Sequence, residues 1–97
     1  MSVYGELAAS IRSEDPVALV TVIEGPNVGA KLLVRPDHEP VGGLGHSELD
    51  RVAHRDALAE LEAGRSGVRH YGPAGETTPE DLIDTPLVRV FVESWAP

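Results

Sequence analysis

The chain has 97 residues, 41% hydrophobic and 25% charged, with no cysteine and with Tyr4, Tyr71, Phe91 and Trp95 as its aromatics. This size and composition predict one small globular domain, 1–97, with an aliphatic core, and exclude disulfides, thiolate nucleophiles and cysteine-based zinc sites. Its 16 acidic and 8 basic residues leave a formal charge of -8, which argues against nucleic acid or an anionic membrane as partner, because both need a basic face.

Ser2 is placed to cap a first helix running to about Arg12, with Val3, Leu7 and Ile11 as its apolar stripe. Asp15-Pro16 ends that segment, since the residue before a proline disfavours helical geometry. Residues 17–24, VALVTVIE, put Val17, Leu19 and Ile23 on one side and Ala18, Val20 and Val22 on the other. Two apolar faces predict a central strand. Gly25-Pro26-Asn27-Val28-Gly29 reads as a turn, and Ala30 to Arg35 as the returning strand of a hairpin. A second turn, 36–40, leads to a short strand that starts at Val41 and runs into glycines.

Residues 47–63 carry the strongest helical pattern. Ser47 and Asp50 read as its capping pair, and Gly64 sits where a C-terminal cap belongs. Ala53, Ala57, Leu58 and Leu61 share one arc with His54 inside it, and the two alanines let the helix lie close on a sheet. Val68 to Tyr71 is a short strand, and 72–86 a long polar excursion in which Thr78-Pro79-Glu80-Asp81 opens a helical turn. Leu87 to Glu93 is the last strand, with Val88, Val90 and Val92 on one face, and Trp95 falls just past it. The order α-β-β-β-α-β-β, with hairpin-linked strands, predicts an α+β fold: a small twisted, mainly antiparallel sheet with helices packed on it.

No apolar run approaches the ~20 residues of a membrane span. The N-terminus lacks a basic segment followed by an apolar one, so no secretory signal is read and a cytoplasmic protein is expected. None of the serines has a nucleophile context, and Glu80-Asp81 reads as a helix opener, so no catalytic residue is assigned. His38, His46, His54 and His70 lack the spacing of a metal site, and no metal is assigned. Only His46 beside Glu48 is a pair worth testing. The bend Gly42-Gly43-Leu44-Gly45-His46-Ser47 feeds a helix N-terminus, where free amides and the helix dipole can hold a phosphate or another oxyanion. Gly42, Gly43, Gly45, His46 and Ser47 are therefore the candidate cofactor-binding residues. Glu48 and Asp50 in the following turn complement the same dipole and oppose an incoming anion.

Three stretches resemble the XdhC/CoxI family. They are Ala18 to Gly25 followed by Gly29-Ala30-Lys31-Leu32-Leu33-Val34, then Val41-Gly42-Gly43-Leu44-Gly45 entering a helix, and the closing Val88-Arg89-Val90-Phe91-Val92-Glu93. The resemblance runs from about residue 5 to 94. It implies a role in the maturation of molybdenum hydroxylases such as xanthine and carbon monoxide dehydrogenases, whose larger maturation factors hold the molybdenum cofactor and carry a second, Rossmann-like domain. The chain resembles their N-terminal module alone. It departs from the family at three places. Gly45-His46-Ser47-Glu48-Leu49-Asp50 replaces Gly-Gly-Gly-Cys-x-Glu, so Glu48 stands at the cysteine position and Asp50 keeps the terminal acid in kind. Ile83-Asp84-Thr85-Pro86 replaces Gly-Cys-Gly-Gly, and the 25–29 turn has lost the family's arginine. The resemblance thus implies a non-catalytic accessory module without sulfur chemistry, acting through protein contacts. Its implied partners are a second copy in a homodimer, a separate Rossmann-domain member of the family, or a molybdenum hydroxylase. The alternatives are a binding domain that holds an oxyanion or nucleotide-like cofactor at the 42–48 turn, and a divergent member that has lost the family's function.

Overall fold

A computed structural model describes residues 2–97. The chain runs α1 (Val3–Arg12), β1 (Val17–Glu24), β2 (Lys31–Val34), β3 (Val41–Gly43), α2 (Ser47–Ala63), β4 (Gly67–Tyr71) and β5 (Val88–Trp95). The strands form a five-stranded sheet in the order β3-β2-β1-β5-β4, and every pairing among them is antiparallel. The fold is α+β.

β1 is central because both of its faces are apolar. Ala18, Val20 and Val22 face α2 and join Leu32, Val34, Val88, Val90, Val92, Ala53, Ala57 and Leu61 in the main core. Val17, Leu19 and Leu33 face the other way, into a smaller core that α1 covers with Val3 and Leu7. Each fully buried aliphatic side chain stabilises the fold by roughly 1.5–3 kcal/mol. Ala53 and Ala57 are 1% and 0% exposed, so α2 sits close over β1 and β5. Gly64 ends α2 in the left-handed region at φ 68, with its amide on Leu61 O.

Several details differ from the sequence expectation. The sheet-facing stripe of α1 is Val3 and Leu7, both half-buried, and Ser10, which is buried, while Ile11 is 43% exposed. A helix of 3.6 residues per turn meets a flat sheet at steps of four and then three, which brings residue 10 inward and turns residue 11 out. The N-cap of α2 is His46, not Ser47, because His46 has extended backbone and its Nδ1 accepts the Glu48 amide at 3.1 Å. Ser47 is already helical, and Asp50 turns back to the preceding bend. Strand β2 starts one residue later than expected because Ala30 closes the turn, its amide donating to Asn27 O at 2.9 Å. Trp95 lies in β5 rather than past it, since Val17 pairs with Trp95 and Ala18 with Ser94. Arg89 pairs with Glu24, its register partner on the neighbouring strand β1, at 3.2 Å. The helical turn at 78–82 forms, with Leu82 N donating to Thr78 O at 3.2 Å.

No described helix is long and apolar enough to cross a membrane.

Candidate functional site

The antiparallel order sends the ends of β1, β3 and β4 and the starts of β2 and β5 to the same end of the sheet. Three connections therefore meet there, around the N-terminus of α2: the 25–30 turn, the 44–46 bend and the 72–87 excursion. The contacts are backbone-close. A Cβ on Gly25 would stand 2.9 Å from Leu87 O, and one on Gly75 would stand 2.8 Å from Glu48 O. At Gly45, with φ +110, the place of a Cβ is taken by the Asn27 side-chain amide. Asn27 holds φ 63 in the tight turn, a conformation that asparagine tolerates better than most residues.

The bend itself is held by its own side chains. Gly42 and Gly43 are the last residues of β3, Gly45 and His46 connect β3 to α2, and Ser47 opens the helix. Gly42 has φ +92, and Lys31 O sits where a Cβ would project, so only glycine fits this register with β2. Leu44 is 1% exposed, and its amide donates to Asp50 Oδ1 at 2.7 Å. Asp50 Oδ2 lies 3.2 Å from the Cβ position of Gly43. Asp50 thus closes the glycine bend onto the first turn of α2. The Glu48 carboxylate pairs with Arg51 at 3.0 Å on the exposed face, so His46 and Glu48 meet through a backbone amide rather than as paired side chains.

The candidate residues Gly42, Gly43, Gly45, His46 and Ser47 form one continuous bend, and the fold adds Asn27 and Asp50 to it. Sequence reasoning passed over Asn27, and read Asp50 as a helix cap rather than as the acceptor for Leu44. The available signal for Asp50 was its agreement in kind with the acid that ends the family's glycine motif.

A second cluster went unread in the sequence. Asp56 and Glu60, one turn apart on α2, face Arg69 and Tyr71, two residues apart on β4. Arg69 reaches Glu60 at 2.7 Å and Asp56 at 3.5 Å, and Tyr71 donates its hydroxyl to Asp56 Oδ2 at 2.8 Å. Arg55 and Arg65 complete the network at 3.1 Å and 3.5 Å. Arg55, Asp56, Glu60, Arg69 and Tyr71, with Thr77, line a shallow depression of about 440 Å³ that Arg65 stays outside. Burial, and then the hydrogen bond to Asp56, push the Tyr71 phenol well above the usual tyrosine range. The hydrogen bond to Glu60 raises the Arg69 guanidinium, against a smaller opposing effect of burial. Both carboxylates already carry guanidinium partners, so the network ties α2 to the edge strand. It presents no free base. Among the described residues no three His, Asp or Glu side chains gather to hold a metal ion.

The family model described as "XdhC and CoxI family" matches residues 10–72. The chain belongs to this family. No curated protein matches it. The matched span runs from the end of α1 to the residue after β4, and it takes in two of the three converging connections and all of α2. The glycine bend that leads into α2 lies within the matched span. The residues of this bend do not fit the phosphate of the cofactor that the resemblance implies: the Leu44 and Glu48 amides already donate to Asp50 and His46, and Glu48 and Asp50 place carboxylates in the first turn of α2.

Proposed function

We propose that this XdhC and CoxI family chain is a non-catalytic accessory module of molybdenum hydroxylase maturation that works by binding other proteins, a second copy of itself among them. The observation that carries the reading is an uncovered half of the sheet. α1 packs on β1 and β2, so on its side β5 and β4 have no helix over them. Phe91 is in register with Thr21 on one side and Val68 on the other. Ile23 is 46% and Val68 50% exposed, and Phe91 is half-buried. An apolar band across three strands, flanked by the Glu24–Arg89 ion pair, has the make-up of a contact surface with a polar rim. The acid-filled glycine bend supports the same reading, because it leaves surface complementarity rather than cofactor chemistry as the working property.

Light scattering tests the proposal on the purified chain, alone and mixed with an apo molybdenum hydroxylase. The expected result is a two-copy mass or a complex with the enzyme, lost in Val68→Glu while the circular dichroism stays native. A monomer that ignores the enzyme overturns the proposal. Stabilisation by molybdopterin, which would reach ~2.7 kcal/mol at 100-fold over Kd, would favour the oxyanion site at Gly42, Gly43, Gly45, His46 and Ser47 instead.

A further inference from the structure

A groove of about 320 Å³ lies at the other end of the sheet, between the end of α1 and the end of β5, lined by Ile11, Glu14, Asp15, Ser94, Trp95 and the last two residues. Its volume is that of a small recognition pocket. Two features give it a chemical preference. Its walls are apolar: Ile11 is turned out of the core at 43% exposure, and Trp95 is half-buried. Its rim carries two carboxylates, Glu14 and Asp15, both exposed and neither in an ion pair among the described residues. Arg12, nearby in the chain, does not line the groove.

We infer that this groove receives a segment of a partner protein in which an apolar side chain stands beside a lysine or arginine. The apolar side chain lies against Trp95 and Ile11, and the cation meets Glu14 and Asp15. Charge complementarity selects the cation: the rim is acidic in a chain whose formal charge is -8, so the long-range field and the local one have the same sign. Aromatic walls beside paired carboxylates also suit the apolar stem and charged tip of such side chains. The inference goes beyond the maturation reading, since the groove and the uncovered band are at separate places on the fold and the groove needs no molybdenum enzyme.

Trp95 is the chain's single tryptophan, so its fluorescence reports on the groove directly. The test titrates the full chain with capped peptides Gly-Leu-Lys-Leu-Gly and Gly-Leu-Glu-Leu-Gly, and with n-butylammonium. The expected result is a saturable shift for the lysine peptide that weakens at least tenfold in 0.5 M salt and in the Glu14→Gln, Asp15→Asn double variant. The glutamate peptide and the amine bind at least tenfold more weakly. Equal responses to the two peptides, no response to either, or binding of the amine as tight as that of the lysine peptide would each overturn the inference. The comparison of the two peptides uses the unaltered chain, so it stands even if the double variant does not fold.

Discussion

Asp50→Ala is the sharpest test of the glycine bend. The substitution removes the acceptor of the Leu44 amide, a 2.7 Å hydrogen bond to a carboxylate, at a residue that is itself 1% exposed. A hydrogen bond to a charged group contributes roughly 1.5–3 kcal/mol. A carboxylate that merely complements the helix dipole contributes roughly 0.3–1 kcal/mol. Asp50 is half-buried, so water screens part of its charge, and the expected loss is about 2 kcal/mol. In a domain of this size that lowers the melting temperature by roughly 8–16 °C. Asp50→Asn keeps a carbonyl acceptor and loses only the charge, so its cost should be about 1 kcal/mol, near the dipole contribution. Urea denaturation gives the two energies, and amide exchange at Leu44 reports the bond itself. Asp50→Ala melting within about 2 °C of the unaltered chain, or equal losses in the alanine and asparagine variants, would refute the role given to Asp50.

Three further outcomes follow from the packing and the charges. Gly42→Ala puts a methyl group onto the Lys31 carbonyl at φ +92 and should cost at least about 2 kcal/mol, with strain alone supplying about 1–3; a neutral result in urea denaturation would mean that β3 does not hold this register. Leu33→Ala empties a fully buried position of the smaller core and should cost about 2–5 kcal/mol, with α1 amides exchanging faster than those of α2. The raised Tyr71 phenol makes stability pH-dependent on the alkaline side. The folded state keeps the proton while the unfolded chain loses it near pH ~10, so this contribution is intact below that pH and is lost as the pH climbs above it. Tyr71→Phe should flatten that part of the alkaline loss measured by urea midpoints, while costing about 1 kcal/mol at neutral pH through the lost bond to Asp56.

Element type and order were legible in the residues, because each element carries a strong local signal. Alternation in 17–24 marks both faces of β1, the alanine-spaced arc and Gly64 mark α2, and the valines at 88, 90 and 92 mark the buried face of β5. Boundaries were less legible, because long-range pairing sets them. Trp95 is extended because Val17 lies opposite it, 78 positions away in chain numbering, and the residues around Trp95 carry no sign of that partner. His46 displaced Ser47 as the cap for a similar reason: Asp50, the other half of the expected capping pair, was drawn to Leu44, and only the path of the bend reveals that.

By itself, the sequence determined an acidic, thiol-free α+β chain and the family resemblance, properties set by composition and by the order of short motifs. Tertiary structure alone decided which of those motifs touch, because contacts such as Asn27 with Gly45, Gly75 with Glu48, and Asp56 and Glu60 with Arg69 and Tyr71 depend on strand register and helix docking rather than on any local pattern. It also decided what stays uncovered. α1 is only 10 residues long, so its ~15 Å of length and single-helix width cover β1 and β2 and leave the apolar band of β5 and β4 without a helix over it.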